Sequence, residues 1–206
     1  MTAPRRLTAA LIALGMLSLS GGVKPPSGDL TAALDPFSDS AFESSEEAYT
    51  AAKVLGDLHT GLLPTEVSRV SVAIAAESSR AKLPIELVLA LIQVESSGYN
   101  FAVSAVGAMG LMQLMPATAE GVARRSGRRW EGPATLFDPV LNVRLGVLYL
   151  RELVDRYGSV TTALAAYNWG PTRIAERLRR GEPVPALYAQ RVLSVYEKAK
   201  TAPLQI

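Results

Sequence analysis

The chain has 206 residues, of which 21 are basic, 19 are acidic, one is a histidine and none is a cysteine, giving a formal net charge of +2. These counts exclude disulfides, thiolate metal ligands, cysteine nucleophiles and multi-histidine metal sites. The length suits one domain with an appendage, and any catalysis falls to carboxylates, lysine, tyrosine or backbone groups.

The first 22 residues have the features of an export signal. The basic pair Arg5-Arg6 precedes an apolar run from Leu7 to Leu19, and small residues precede a cleavage point at Gly21. The run is shorter than the roughly 20 apolar residues of a membrane span. We therefore expect an exported protein with no stable membrane insertion after cleavage, whereas an uncleaved signal would tether it to the membrane.

The charges of the remaining chain are unevenly distributed. Residues 23–122 carry 12 acidic and 5 basic residues, whereas residues 123–191 carry 12 arginines and 6 acidic residues. The arginine-rich half contains no nucleic-acid-binding motif, so we expect no nucleic-acid partner.

The pattern of apolar residues, prolines and glycines predicts a mostly α fold. Residues 23–64 combine a Pro/Gly/Ser-rich linker with an acidic helix over residues 41–58. The further predicted helices cover residues 65–81, 85–95, 116–127, 138–157, 159–166, 171–180 and 185–198. The stretch between Gly98 and Pro116 is rich in glycine and small residues and has room for a small hairpin.

Glu95 stands out at the end of a very apolar predicted helix. At about 100° per residue it shares a face with Val88, Leu91 and Ile92. Burial and the negative end of the helix dipole would both raise its pKa. A protonated carboxylic acid suits proton donation to a leaving oxygen, as in glycoside cleavage. The alternative is a frayed helix end with Glu95 in solvent.

Most glycosidases need a second carboxylate as nucleophile or base. Residues 96–119 contain no Asp or Glu, Glu120 and Glu131 are more distant, and Asp138 is better explained as a helix cap. The sequence thus offers one acid without an evident partner, which favours a mechanism in which the substrate supplies the second group.

Three blocks of sequence resemble the soluble lytic transglycosylase family. The first is E-S-S-G-Y at 95–99 with the segment 102–116, which ends in G-L-M-Q-L-M-P. The others are N-V at 142–143 with Gly146 and Tyr149-Leu150, and A-A-Y-N-W-G at 165–170. The resemblance covers about residues 70–199. It implies a lysozyme-like (goose-type) multi-helix domain with at most a small β-hairpin near the active site.

The resemblance also implies an activity. Family enzymes cleave the β-1,4 bond between N-acetylmuramic acid and N-acetylglucosamine in peptidoglycan without water, leaving 1,6-anhydromuramoyl ends. One glutamate, matching Glu95, acts first as acid and then as base, with help from the muramoyl N-acetyl group, and neither cofactor nor metal is needed. A goose-type lysozyme that hydrolyses with water, and a non-catalytic wall-binding component of a secretion or conjugation apparatus, remain alternatives.

The chain is thus expected to divide into a signal peptide at 1–22, a linker with an acidic helix at 23–64 and, by the resemblance, a catalytic domain at 65–206. The expected location is the periplasm, and the expected partners are peptidoglycan glycan strands and cell-wall or secretion machinery. Arginines would favour encounter with the carboxylates of peptide stems.

The resemblance further implies a set of substrate-binding residues. Each has a structural alternative, such as a turn hydrogen bond for a loop serine or helix-end packing for the A-Y-N residues. Trp169 replaces the small residue often found in that last block, where it either stacks on a sugar or packs. The substrate-binding residues expected from the resemblance are Ser104, Gln113, Met115, Tyr167, Asn168 and Tyr188.

Overall fold

The computed structural model describes the backbone of residues 39–201 and the side chains of residues 46–201. The expected signal peptide at 1–22 lies outside this part of the chain. The described part contains eight α-helices: α1 (Asp39–Gly56), α2 (Pro64–Ala81), α3 (Ile85–Ser96), α4 (Pro116–Arg125), α5 (Pro139–Tyr157), α6 (Val160–Trp169), α7 (Pro171–Arg179) and α8 (Leu187–Thr201). A 3-10 helix, Pro133–Phe137, precedes α5.

The mostly α prediction is confirmed, and the helix boundaries differ in detail. Helix α6 runs past the predicted end at residue 166 to Trp169, and it stops at Gly170, whose φ of 88° departs from helical geometry. Helix α8 begins at Leu187 instead of Pro185, and its first turn is closed by the bond from Gln190 N to Ala186 O. The 3-10 helix was not predicted.

Between α3 and α4 the chain forms only minimal β structure. Two isolated antiparallel bridges pair Val103 with Met109 and Met109 with Leu114. This agrees with the prediction of at most a small hairpin in this stretch.

Helix α3 lies at the centre of the helical body, with α2 and α8 packed against it. Leu87, Val88, Leu91 and Ile92 are buried in the core. Each such burial stabilises the fold by about 1.5–3 kcal/mol relative to exposure in water. The C-terminal end of α3 is therefore held against α8, which positions Glu95.

Helix α1 packs against α2 and belongs to the same helical body. Its residues Ala51 and Leu55 are fully buried. The domain division at residue 65 stays a prediction. Within residues 39–201, none of the helices has the length and apolar character that crossing a bilayer requires.

Glu77 of α2 is a buried carboxylate shared by three arginines. It lies 2.7 Å from Arg80 Nη1, 3.2 Å from Arg144 Nε and 3.8 Å from Arg128 Nη2, and its side chain is 3% exposed. These contacts connect α2 to α5 and to the segment after α4. The cluster therefore acts as an electrostatic clamp between three parts of the body.

We expect Glu77→Gln to lower the free energy of unfolding by about 1–3 kcal/mol, because an amide accepts weaker hydrogen bonds and leaves three arginines without a counter-charge. Urea unfolding measures the change. The matched control is Glu152→Gln, which breaks the exposed pair with Arg125 and should cost less than about 1 kcal/mol. Equal losses for the two variants would contradict the clamp.

Candidate active site

Glu95 occupies the penultimate position of α3, where the helix is ended by a left-handed backbone. Ser97 has a φ of 52° and Gly98 a φ of 79°. The next residue, Ser96, donates from Oγ towards Leu111 O at 2.8 Å, which ties the helix end to the following loop. The site is thus built where α3 meets this loop and α8.

The Glu95 carboxylate is half-buried and accepts a hydrogen bond from the hydroxyl of Tyr188 in α8. The alternative of a frayed helix end with Glu95 in solvent therefore does not hold. Burial raises the pKa of Glu95, and this effect outweighs the Tyr188 hydrogen bond and the charge of Arg191, which lower it. The side chain is suited to hold a proton at a pH where an exposed glutamate has lost it.

Tyr188 touches the acid itself, a contact that the expected role in substrate binding did not anticipate. Its side chain is 9% exposed. Burial and the nearby negative charge of Glu95 both raise the pKa of the Tyr188 hydroxyl. The phenol therefore remains protonated and can donate to Glu95 throughout the physiological range.

The loop between α3 and α4 is fixed by Gln113, which adopts a left-handed φ of 45°. Its Nε2 donates to Ala102 O at 3.0 Å and to Gly110 O at 2.9 Å. Both amide hydrogens are thus directed at backbone carbonyls, and only the amide oxygen is left for another partner.

Two other expected site residues lie on the same loop. Ser104 Oγ accepts from Ala108 N at 3.0 Å, and Ser104 N donates to Ala108 O at 2.9 Å, which closes a turn. Met115 directly precedes α4 and is 41% exposed. In the described part of the chain, neither residue forms a hydrogen bond or ion pair with Glu95.

Asn142, fully buried on α5, is a structural residue to which sequence reasoning assigned no role. Its Nδ2 donates to Met109 O and to Leu136 O, both at 3.0 Å, and its Oδ1 accepts from Met112 N at 2.8 Å. One amide thereby fixes both ends of the Met109–Met112 turn. A buried asparagine on the apolar face of a predicted helix is the signal that could have identified it.

Two glycines allow this turn to lie directly on α5. A Cβ at Gly110 would lie 2.2 Å from Asn142 Nδ2 and 2.5 Å from Leu136 O, and its φ is 79°. A Cβ at Gly146, one helical turn after Asn142, would lie 2.3 Å from Met112 Sδ. Side chains at these positions would push the turn off the helix.

Tyr167 of α6 also holds this turn in place. Its hydroxyl donates to Met112 O at 2.9 Å, and its ring packs 5.2 Å from that of Tyr149. Burial and the negative charge of Glu95 raise the pKa of Tyr167. Tyr167, Tyr188 and Glu95 thus form one electrostatically coupled group.

The end of α6 presents the remaining residues of the A-Y-N-W-G block. Asn168 is exposed in the last turn of α6. Trp169 is 43% exposed, and the guanidinium of Arg173 lies 5.5 Å from its ring centroid. The Trp169 side chain is therefore partly exposed and contacts a cation, so it is not simply packed in the core.

No second carboxylate is hydrogen-bonded to Glu95 in the described part of the chain. Asp138 caps α5, since its Oδ1 accepts from Val140 N at 2.9 Å and from Leu141 N at 3.1 Å, as the sequence predicted. Glu131 pairs with Arg129. The described side chains of residues 46–201 also contain no group of three His, Asp or Glu able to hold a metal ion.

Comparisons with known proteins find one matching family model and several similar proteins. The family model for the transglycosylase SLT domain matches residues 72–183. A transglycosylase of Enterobacteria phage PRD1 is 46% identical over 97 residues, which is 47% of this chain and 33% of that protein. The soluble lytic murein transglycosylase of Escherichia coli K12 is 34% identical over 99 residues, which is 47% of this chain and 15% of that protein.

A solved structure has the same fold. The lytic transglycosylase Slt of Pseudomonas aeruginosa, in an inactive mutant form, superposes with a TM-score of 0.56 at 30% identity, over 62% of this chain and 23% of that chain. The architecture is thus lysozyme-like, as expected. The chain matches about a third or less of the length of these relatives.

Proposed function

The chain belongs to the transglycosylase SLT domain family, because the family model matches residues 72–183, and from this premise we propose that it is a lytic transglycosylase acting on peptidoglycan. The observation that carries the proposal is the half-buried Glu95, with a raised pKa and a tyrosine hydroxyl on its carboxylate. The relatives named as murein transglycosylases support the substrate.

In the proposed first step Glu95 is the general acid. Burial raises the pKa of its carboxyl and so favours the protonated form. The proton passes to the glycosidic oxygen between N-acetylmuramic acid and N-acetylglucosamine as the C1–O bond breaks. The N-acetyl carbonyl of the muramoyl residue attacks the anomeric carbon as the substrate's own nucleophile. This assignment is supported by the lack of a carboxylate paired with Glu95 among the described side chains of residues 46–201.

In the proposed second step Glu95, now a carboxylate, is the general base. It removes the proton of the muramoyl C6 hydroxyl, whose oxygen closes on the anomeric carbon and displaces the N-acetyl oxygen. The Tyr188 hydroxyl and the Arg191 charge stabilise the carboxylate between the two steps. The proton is returned to Glu95, and no water is consumed.

The other site residues are proposed to hold the loop beside Glu95 or to contact the substrate. Tyr167 and Asn142 hold the Met109–Met112 turn beside the acid. Ser104, Gln113, Met115 and Asn168 are proposed to contact the sugars, Gln113 through its amide oxygen. Export to the periplasm, the domain division and contact with wall or secretion machinery belong to the same proposal.

We expect Tyr188→Phe to reduce the maximal rate about tenfold, because a hydrogen bond to a charged carboxylate is lost. The Tyr188 bond lowers the pKa of Glu95, so its loss raises that pKa further. Since the acid step needs protonated Glu95, the alkaline limb of the pH–rate profile should move to higher pH. Rates of murein digestion across pH measure both effects.

The matched control is Tyr196→Phe in the same helix, whose ring lies beside Lys200 and has no contact with Glu95. It should leave the rate and the profile unchanged. An alkaline limb in Tyr188→Phe that stays in place, or moves to lower pH, would rule out the proposed coupling.

Mass spectrometry of soluble fragments from purified sacculi tests the proposed function. A lytic transglycosylase releases fragments one water lighter than hydrolysis products, with 1,6-anhydromuramoyl ends. Reducing muramic ends would instead identify a goose-type lysozyme. Release of no fragments would favour a non-catalytic wall-binding component.

A further inference from the structure

A group of cationic side chains lies where the end of α2 packs against α5. Three of its arginines share the carboxylate of Glu77. Arg151 extends the group, because its Nη1 donates to Ala81 O at 3.4 Å, and Lys82 follows Ala81 in the chain. We call the following side chains the cationic cluster: Arg80, Lys82, Arg128, Arg144 and Arg151.

The cationic cluster carries more positive charge than its acidic partners neutralise. In the described part of the chain its five cations are paired with two carboxylates, those of Glu77 and Asp155. Lys82 is exposed, and its side chain has no hydrogen bond or ion pair with any described residue. The buried Nε atoms of Arg128 and Arg144 donate no hydrogen bond there. The cluster therefore has a surplus of positive charge and unused donors.

Two further acids close to the cluster in sequence do not remove this surplus. Glu131 is paired with Arg129, and Glu152 is paired with Arg125. Each of these carboxylates is thus matched by an arginine that does not belong to the cluster.

The cationic cluster is accessible and its arginines are held in place. The side chains of Arg80 and Arg144 are 66% and 41% exposed, and those of Arg128 and Arg151 are 31% and 29% exposed. Contacts with Glu77 restrict three of the four guanidinium groups before any ligand arrives. Less side-chain entropy is therefore lost on binding than with free arginines.

The cationic cluster and Glu95 lie at opposite ends of α3. Lys82 precedes the start of this helix at Ile85, and Glu95 comes ten residues after Ile85, which is about 15 Å along the helix axis. On α5, Arg144 is separated from Asn142 by about 200° around the helix, so it points away from the turn that Asn142 holds. A ligand on the cluster would leave Glu95 accessible.

The chemistry of the cluster fits phosphate groups that are spread over a surface. A guanidinium binds a phosphate through two parallel hydrogen bonds, and an ammonium group binds it as a point charge. The cluster lines neither the cavity of about 260 Å³ between α2 and the start of α5 nor that of about 510 Å³ between α3 and α8. An extended anionic surface therefore suits it better than a small enclosed anion.

We propose that the cationic cluster is a docking surface for a membrane that contains anionic phospholipids, with Arg80, Lys82 and Arg144 contacting the headgroup phosphates. Such a bilayer attracts basic side chains, and each cation near its surface adds to the affinity. The docked chain would keep Glu95 at the far end of α3, away from the lipid. This inference goes beyond the proposed function, because docking requires no catalysis.

Co-sedimentation of the full chain with vesicles tests the proposal. The native chain should bind vesicles of phosphatidylcholine that contain phosphatidylglycerol, should not bind vesicles of phosphatidylcholine alone, and should be released as the salt concentration rises. The double variant Arg80→Gln/Lys82→Gln should bind the anionic vesicles about 25-fold more weakly, since each cation near an anionic surface contributes about fivefold.

Two more proteins separate docking from stability and from total charge. Lys82→Glu does not alter the contacts of Glu77, and by reversing one charge it should also weaken vesicle binding about 25-fold. The matched control is the double variant Arg179→Gln/Arg180→Gln, which loses the same total charge at the end of α7, where the partners are Glu176 and Glu182. This control should bind vesicles like the native chain.

Several results would overturn the docking surface. Equal losses in the two double variants would show that only total charge matters, and equal binding to both kinds of vesicle would show that lipid charge does not matter. Release from vesicles by inorganic phosphate, but not by chloride at the same ionic strength, would identify a site for a single phosphate instead of a membrane.

The same variants separate docking from the wall and from catalysis. Arg80→Gln/Lys82→Gln should digest soluble murein fragments at the native rate, because neither side chain lies at Glu95. If this variant lost affinity for sacculi but kept its affinity for anionic vesicles, the ligand would be the carboxylates of the wall and the membrane proposal would be wrong. A native chain that docks on vesicles but never cleaves murein would instead overturn the proposed function.

Discussion

Glu95→Gln should reduce the release of soluble fragments from murein by about a thousandfold or more, since general acid and base catalysis each contribute roughly 10²–10⁴-fold. The amide can neither donate the proton to the glycosidic oxygen nor accept it from the C6 hydroxyl. Both proposed steps lose the same group. Initial rates on purified sacculi measure the loss.

The fold of Glu95→Gln should be intact, and the pH dependence of its stability follows from the raised pKa of Glu95. A carboxyl whose pKa is higher in the folded state stabilises the fold while it is protonated, and this contribution is lost as the pH rises through the folded pKa. At neutral pH the amide should therefore be at least as stable as the native side chain. The difference should disappear in acid, which thermal unfolding at several pH values measures.

The matched control is Glu86→Gln in the first turn of the same helix, which should keep native activity. If Glu95→Gln retained more than a tenth of the native rate in a folded state, the assignment of Glu95 as the acid and base would be wrong.

Asn142→Ala should lower the free energy of unfolding by at least about 3 kcal/mol, because each buried polar group left without a partner costs about 1–3 kcal/mol. The substitution removes the hydrogen bonds to Met109 O, Leu136 O and Met112 N at once. It also opens a cavity beneath the turn. A native domain is typically stable by about 5–15 kcal/mol, so the loss should be visible directly in denaturant unfolding.

Asn142→Asp separates hydrogen-bond direction from packing. Aspartate nearly fills the same volume but has no donor for the carbonyls of Met109 and Leu136. Asn142→Asp should therefore lower the free energy of unfolding almost as much as Asn142→Ala. Asn168→Ala, at an exposed position of α6, should leave stability unchanged. If Asn142→Ala unfolded at the same denaturant concentration as the native chain, the hydrogen bonds of Asn142 would not be what stabilises the Met109–Met112 turn.

The helices were largely predictable because their ends carry local signals. Pro116, Asp138-Pro139 and Pro171 begin α4, α5 and α7, and Gly158 and Gly170 follow the ends of α5 and α6. Such signals act within a few residues, so they can be read directly from the sequence. The short 3-10 helix before α5 carries weaker local signals and was missed.

Glu95 could be identified from its place on an apolar helix face, whereas its environment could not. Tyr188 lies 93 residues further along the chain, and the contact between them arises from the packing of α8 against α3. The same is true of Asn142, which meets Met112 across 30 residues. Contacts of this range depend on the whole core, which no local pattern encodes.

The roles of individual loop residues also required the structure. Gln113 matched a position that lines the cleft, yet both of its amide hydrogens are directed at backbone carbonyls. Ser104 closes a turn with Ala108. Residue type and spacing indicate that such side chains are polar and nearby, but they do not indicate which hydrogen-bonding groups remain for a ligand.

Digestion of purified sacculi in ¹⁸O-labelled water tests the central claim most directly. If Glu95 directs the C6 hydroxyl to the anomeric carbon, the native chain releases 1,6-anhydromuramoyl ends that contain no ¹⁸O, and Glu95→Gln releases almost none. Reducing muramoyl ends that carry ¹⁸O would show that water is the acceptor and would contradict the single-glutamate, water-free mechanism.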